Sequence, residues 1–111
     1  MTEKIPTDEF RKLDLRVGKI LQVDDHPNAN KLYILTVDLA EEKPRTIVAG
    51  LKPYYTKSAL LNKKAVFVAN LQPVNLRGIG SNGMILAASD KKGNVIFIAP
   101  EKDIEEGSKI R

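Results

Sequence analysis

Three glycines in the segment GIGSNG, residues 78–83, have the spacing of a phosphate-binding loop. Gly78, Gly80 and Gly83 match the pattern G-x-G-x-x-G, and Asp103 lies 20 residues beyond the last glycine. In a dinucleotide-binding unit such glycines let the backbone approach a pyrophosphate, and the acidic residue binds a ribose hydroxyl. The spacing therefore raises the hypothesis of a dinucleotide cofactor.

The elements around the glycines do not fit this hypothesis. The dinucleotide fingerprint needs a strand that leads directly into the first glycine and a helix that starts at the last one. Here a proline and five other residues separate Leu71, where a predicted strand ends, from Gly78, and the 28 residues after Gly83 begin with a β-prone run. Ile79 also stands where a G-x-S-x-G nucleophile elbow needs its first glycine. We therefore expect no cofactor.

The other residues that could catalyse a reaction or bind a metal are isolated. His26 is the only histidine, and the chain has no cysteine, whereas histidine or thiolate metal sites need several ligands. Asp24, Asp25, Asn28 and Asn30 lack the ligand pattern of a calcium loop. We expect His26 to lie in a surface turn before Pro27, and we expect neither a metal site nor a catalytic centre.

Two other roles of the glycines stay open at this point. The glycines permit a loop that approaches a ligand and keeps Ser81 and Asn82 exposed. They equally permit a bulge or a barrel corner that binds nothing.

The composition indicates one small domain with unevenly distributed charge. The 111 residues are 42% hydrophobic, which suits a single core. The net charge is +4, but residues 43–89 contain no acid, and the two flanks hold all 14 acids with 11 bases. The acid-free block holds seven bases: Lys43, Arg45, Lys52, Lys57, Lys63, Lys64 and Arg77. Such a block predicts a positive surface for a polyanion, although basic residues can also merely solubilise loops.

The hydrophobic pattern predicts a mainly β protein. A short helix is expected over 7–13 with Thr7 as its N-cap, and a second within 54–64 with Thr56 as its N-cap. Strands are predicted at 16–24, 31–39, 45–50, 64–71, 84–89 and 95–100, with a loop over 72–83. This order predicts a five-stranded antiparallel OB barrel, with short helices at the N-terminus and between strands three and four and with a C-terminal extension. An SH3-like barrel is the nearest alternative.

The expected organisation is a single domain without a membrane segment. The N-terminal helix region covers residues 1–14, the barrel 15–90 and the extension 91–111. The N-terminus MTEKIPTDEF carries acids where a signal peptide needs an apolar core, and no apolar run is long enough to span a membrane. We therefore expect a cytoplasmic protein.

Several motifs resemble those of a known RNA-binding family. The stretches, in chain order, are DLRVGKI (14–20), HPNANKLY (26–33), TIVAGL (46–51), ANLQPVNLRGIGSNGMILAAS (69–89) and EEGSKI (105–110). Together they resemble the tRNA-binding domain found at the C-terminus of methionyl-tRNA synthetases. The same domain occurs as a free-standing protein, as a separate β-subunit and in cofactors related to endothelial monocyte-activating polypeptide II. The resemblance implies an OB fold that binds tRNA by shape, without catalysis.

The resemblance also implies which residues line the RNA surface. It assigns this role to Lys31, Asn70, Arg77, Ser81 and Met84, although Met84 equally suits the core. Asn82 lies in the same loop, and the basic block adds Arg45 and Lys52 as candidates. The chain departs from the family pattern at Asn30, Gln72, Asn75 and Asn82, which predicts weaker binding or a shifted footprint.

The family resemblance and the C-terminal residues together predict a homodimer. The segments VIFIAP (95–100) and 104–110 add more apolar residues than a small barrel needs, with Ile96 and Ile98 as candidate contacts. The alternative is that this tail covers one end of the barrel. The sequence shows no synthetase domain and so resembles the free-standing or β-subunit form, for which a methionyl-tRNA synthetase chain is a candidate partner. Export-related chaperones of the same fold family, which bind peptides, are the alternative function.

Overall fold

The computed structural model describes residues 2–111, and most of its regular structure is β-strand. Two short helices are present within these residues, α1 (Thr7–Arg11) and α2 (Lys57–Leu60). The strands are, in chain order, β1 (Leu15–Asp25), β2 (Tyr33–Asp38), β3 (Arg45–Ala49), β4 (Lys64–Val68), β5 (Val74–Leu76), β6 (Ile79–Ser81), β7 (Met84–Ile85), β8 (Ala87–Ser89) and β9 (Val95–Phe97).

Five of these strands form one antiparallel sheet that curls into a nearly closed barrel. Their order is β3-β2-β1-β4-β7. The first part of β1 pairs with β4 and the later part with β2, and a β-bulge between Ile20 and Gln22 bends the strand. The barrel and the position of α2 between its third and fourth strands confirm the predicted OB topology.

Alternating burial along the strands produces the core. In β2 the side chains of Tyr33, Leu35 and Val37 are buried, while their neighbours are only half-buried, as the period of two predicted. The largest fully buried side chains come from several strands, from the residue that follows β2 and from α2: Ile20, Leu35, Val37, Leu39, Ile47, Leu60 and Phe67.

Three local predictions were wrong. Residues 72–83 do not form a plain loop, because they contain the hairpin β5–β6. The segment 84–89 is split into β7, which belongs to the barrel, and β8, which pairs with β9. Pro6 occupies the N-cap position of α1 and no side chain caps it, so Thr7 is the first helical residue instead. Thr56 does cap α2, since its hydroxyl accepts a hydrogen bond from the amide of Ala59.

The C-terminal residues pair with the start of β1. The amides of Gly107 and Ile110 donate to the carbonyls of Val17 and Leu15, over 2.7 and 2.8 Å. The amide of Val17 donates in return to Ser108, over 2.9 Å. The end of the chain is thereby fixed along one strand, while Ile96 and Ile98 of the neighbouring β8–β9 region stay exposed.

Candidate nucleic-acid interface

The turn between β1 and β2 is organised by His26. Its amide donates to the carbonyl of Leu32 over 3.2 Å, which closes the turn, and its ring Nδ1 accepts from the amide of Asn28 over 3.0 Å. The side chain is buried, so the expectation of a surface histidine was wrong. The reason is a distant partner, since ring Nε2 lies 2.8 Å from the carbonyl oxygen of Leu76 in β5. This arrangement leaves Lys31 exposed at the end of the turn.

Hairpin β5–β6 brings Arg77 beside that turn. Arg77 and Gly78 form a two-residue connection, and both have positive φ angles, 57° and 97°, as in a type I′ turn. The side chain of Asn75 stabilises the turn by accepting from the amide of Gly78 over 2.9 Å. Asn28 and Arg77 exchange side-chain to backbone hydrogen bonds of 3.3 and 3.2 Å. The guanidinium group is therefore held at the rim of the 26–32 turn.

Lys31 and Arg77 share one open groove. The groove has a volume of about 370 Å³, and its other lining residues are Ala29, Asn30 and Leu32. Neither cation forms an ion pair within residues 2–111. Two unneutralised cations beside a small polar turn form a site that suits the phosphates of a nucleic acid.

Arg45 is bound to groups of the protein itself. Its guanidinium group forms a two-point ion pair with Glu41, with both distances 2.8 Å, and also donates to the carbonyl of Ala69. The hydrogen bond and charge of Arg45 hold the pKa of Glu41 below its usual range, and Glu41 raises the pKa of Arg45. Arg45 lines a second open groove with Asn82 and Lys43, and the side chain of Asn82 is exposed there.

Lys52 is also paired within the protein. Its ammonium group lies 3.0 Å from Asp25, and that of Lys57 lies 2.9 Å from the other oxygen of the same carboxylate. Hydrogen bonds from Lys57 and then Lys52 lower the pKa of Asp25. The side chains of Lys52 and Lys57 are 36% and 49% exposed, so the shared carboxylate reduces their local charge without hiding them.

The basic block is consequently much less positive than its sequence predicts. Acids from both flanks fold back onto it, and within residues 2–111 four of its seven bases have an acidic partner. Three of these bases are Arg45, Lys52 and Lys57, described above. The fourth is Lys64, whose ammonium group lies 2.7 Å from Asp103, the acid that a dinucleotide-binding site would have used to bind a ribose. The bases of the block without an ion pair in this part of the chain are Lys43, Lys63 and Arg77.

Three uncharged candidates, Asn70, Ser81 and Met84, differ in how accessible their side chains are. The amide group of Asn70 is engaged by backbone, because it donates to Lys12 over 2.6 Å and accepts from the amide of Asp14 over 2.8 Å. Ser81 is 2% exposed, so the expectation that its hydroxyl is accessible was wrong. Met84 is 45% exposed, which favours contact over the core.

Ser81 helps to close the barrel. Its hydroxyl accepts from the amide of Val48 in β3 over 2.9 Å and donates to the carbonyl of Gly83 over 3.2 Å. The amide of Asn82 donates to Thr46 over 2.9 Å beside it. Gly83 has a φ of 124° and leaves little room for a Cβ atom, which would lie 3.1 Å from both Ile47 and a backbone oxygen. Gly78 therefore forms a tight turn with Arg77, and Gly83 occupies a barrel corner, the second of the two roles that the sequence left open.

The sequence did not identify His26 and Asn28 as parts of this region. The local bond is that of His26, whose ring accepts from the amide two residues further on in the turn HPN, as the side chain of an Asx turn does. Their cross-loop bonds join residues about 50 positions apart, which no local pattern reveals.

A comparison with known families decides what kind of domain this is. Residues 15–109 match the family described as "Putative tRNA binding domain". The chain belongs to the tRNA-binding domain family. This family membership agrees with the barrel and with the motifs around the Lys31–Arg77 groove.

Individual relatives of this tRNA-binding domain include an enzyme and two solved structures. A methionine–tRNA ligase of Pyrococcus abyssi is 58% identical over 104 residues, which cover 94% of this chain and 14% of the ligase. The structure of a MetRS-related protein from Pyrococcus horikoshii is similar with a TM-score of 0.91 and 31% identity, covering 99% of this chain and 100% of that one. The CsaA chaperone protein of Picrophilus torridus has a TM-score of 0.88 and 31% identity, covering 97% and 100% of the two chains.

The described part of the tRNA-binding domain holds neither a metal-binding cluster nor a membrane-spanning helix. No group of three or more His, Cys, Asp or Glu side chains in residues 2–111 could hold a metal ion. No helix over the same range is long and apolar enough to cross a membrane.

Proposed function

We propose that this chain binds tRNA without catalysing a reaction and recognises it by shape and backbone. The observation that carries the proposal is one groove that both Lys31 and Arg77 line, and both are exposed and without an ion pair in residues 2–111. Membership of the tRNA-binding domain family supports tRNA as the polyanion. Phosphate contacts of this kind fix position on RNA and carry little sequence information.

The aromatic side chains support structured RNA over a long single strand. Extended single strands are bound by stacking bases on exposed aromatic rings. Of the six Tyr and Phe side chains, only Phe10 and Tyr54 are exposed. The other four are buried or half-buried, namely Tyr33, Tyr55, Phe67 and Phe97.

The other candidates have secondary roles in the proposal. Asn82 lines the second groove and Met84 is exposed on the surface, so both can contact RNA directly. Arg45 and Lys52 contribute only where RNA competes with their acidic partners. Asn70 and Ser81 have a structural role, because their side chains hydrogen-bond to the backbone of other segments.

A salt series of tRNA binding tests the proposal. Affinity should fall linearly on a log–log plot, with a slope of about 0.7–0.9 per phosphate neutralised. Arg77→Ala and Lys31→Ala should each weaken binding of all tRNAs alike and reduce that slope. The matched control is Lys63→Ala, because Lys63 is an exposed lysine without an ion pair and lies outside the groove. Equal effects of all three variants would remove the groove from the proposal.

We further propose that the protein is a symmetric homodimer that assists a methionyl-tRNA synthetase in the cytoplasm. In β9 the side chains of Val95 and Phe97 pack against the core, and the ring centroids of Phe97 and Tyr55 are 5.2 Å apart. The alternation leaves Ile96 and Ile98 exposed by 57% and 41%, and they form an apolar face that a second copy can cover. Light scattering should report about twice 12.3 kDa, and Ile96→Glu should give a folded monomer. A wild-type monomer would contradict this interface.

The second candidate function is peptide binding, as in a chaperone. The same exposed isoleucines favour it, together with the similarity to the CsaA chaperone protein of Picrophilus torridus. An unfolded polypeptide added to the tRNA complex separates the two functions. Efficient competition together with salt-independent binding would replace the tRNA proposal with the chaperone one.

A further inference from the structure

The imidazole ring of His26 is buried between two loops and is hydrogen-bonded to both. His26 is 5% exposed. The amide of Asn28 donates to ring Nδ1, and ring Nε2 lies 2.8 Å from the carbonyl oxygen of Leu76. Because Nδ1 accepts a hydrogen bond, the ring carries its proton on Nε2 and donates it to Leu76. One side chain thus joins the 26–32 turn to the last residue of β5.

The hairpin depends on this connection. β5 and β6 form a separate two-stranded sheet, and a two-stranded hairpin is marginally stable in water by itself. The base of β6 is tied to β3 through Ser81. Within residues 2–111, the hydrogen bonds from residues 74–78 to residues outside the hairpin go to His26 and Asn28.

The His26 bond is the shortest and the least exposed of these connections. The two bonds between Asn28 and Arg77 are exposed and long, at 3.2 and 3.3 Å, so water competes with them. The bond to Leu76 is shorter and comes from a buried ring. The carbonyl of Leu76 belongs to the peptide unit that leads into Arg77, so fixing this oxygen fixes the start of the turn that carries the guanidinium group.

We propose that His26 is a positioning residue for RNA binding. It holds the turn of hairpin β5–β6 against the 26–32 turn, so that Arg77 and Lys31 face the same stretch of RNA backbone. This inference rests on the proposed tRNA binding, and it assigns the placement of the cation pair to a buried side chain.

Two variants of His26 separate its two hydrogen bonds. Asparagine keeps an oxygen that can accept from the amide of Asn28, but it is too short to reach Leu76. Glutamine is long enough to donate its amide to Leu76. His26→Asn should weaken tRNA binding about five- to tenfold and lower the salt slope by roughly one, as loss of one phosphate contact does. His26→Gln should recover most of the affinity, and unchanged binding by His26→Asn would overturn the proposal.

A double-mutant cycle shows whether His26 acts through Arg77. In an Arg77→Ala background, His26→Asn should weaken tRNA binding by less than about twofold, because the residue that it positions is already absent. A general structural role would produce the same loss in both backgrounds. Equal losses would therefore refute a positioning role.

Amide hydrogen exchange tests the connection without RNA. In His26→Asn, exchange should become faster over residues 74–81 and stay unchanged in β1 and β2. In the wild type, the Nε2 proton should exchange slowly and be visible by NMR, which needs no folded variant. If the wild type bound no tRNA, the proposed function would fail, whereas the exchange data would still decide whether His26 holds the hairpin. A rapidly exchanging Nε2 proton would contradict the buried hydrogen bond.

Discussion

Replacing Ser81 with alanine should lower stability while leaving RNA binding by the folded protein intact. Family resemblance assigned this serine to the RNA surface, but its hydroxyl is buried and bonded to the backbone on two sides. The amide of Val48 has Ser81 as its partner at 2.9 Å, on the side of β3 that faces away from β2. Ser81→Ala removes the acceptor and leaves this amide unsatisfied.

The structure sets the size of the effect. An unsatisfied buried donor costs about 1–3 kcal/mol. Val48 is 7% exposed and Ser81 2% exposed, so water cannot easily replace the lost oxygen and the upper half of that range applies. For a domain of this length, a loss of about 2 kcal/mol lowers Tm by roughly 8 °C.

Thermal and urea denaturation measure this loss, and tRNA binding well below the melting temperature measures function. Ser89→Ala is the matched control, because Ser89 is an exposed serine in β8 and should change stability by less than about 0.5 kcal/mol. A Ser81→Ala protein with wild-type Tm but weaker tRNA binding would refute the structural role and would indicate that the hydroxyl contacts RNA.

Three further predictions concern stability. Gly107→Ala should lower the free energy of unfolding, measured in urea, more than Gly93→Ala does. Both glycines have a positive φ, but a Cβ atom at Gly107 would lie 2.7 Å from the nearest carbon, whereas a Cβ atom at Gly93 would have no atom within 4 Å. Asn70→Ala should loosen the connection between α1 and β1, which faster proteolysis near the N-terminus would report. Arg45 lowers the folded-state pKa of Glu41 below 4.5, so this pair stabilises the protein above that pH and stops doing so as the pH falls. The Tm of Glu41→Gln should therefore fall less than that of the wild type between pH 6 and pH 3.

The sequence was sufficient for the barrel, because its strands are long and strongly patterned. β1 is rich in branched residues, β2 alternates with a period of two, and each strand ends at a turn of proline, asparagine or charged residues. Such local patterns predict the folded strands correctly because the burial of one strand face and the exposure of the other fix the register of strand pairing. The short helix between the third and fourth strands then distinguished the OB order from other small barrels.

The sequence was not sufficient for the hairpin and its polar anchors. β5 and β6 have three residues each and sit among glycines, asparagines and a proline, which predict a loop. His26 and Ser81 are polar and lie beside turns, so exposure was the reasonable expectation. Their burial depends on partners 50 and 33 residues away, and such distant backbone groups leave no trace in a local pattern.

Charge pairing leads to a final prediction about the strength of the electrostatic contribution. If all seven bases of residues 43–89 met phosphates, the salt slope would reach about 5–6 per chain. The groove instead presents Lys31 and Arg77, so we expect about 1.4–1.8 per chain from this site. Arg45, Lys52, Lys57 and Lys64 would add to the slope only by leaving Glu41, Asp25 and Asp103. A measured slope above about 5 would mean that these ion pairs open when RNA binds, and binding would then be governed by net charge more than by the placement of two cations.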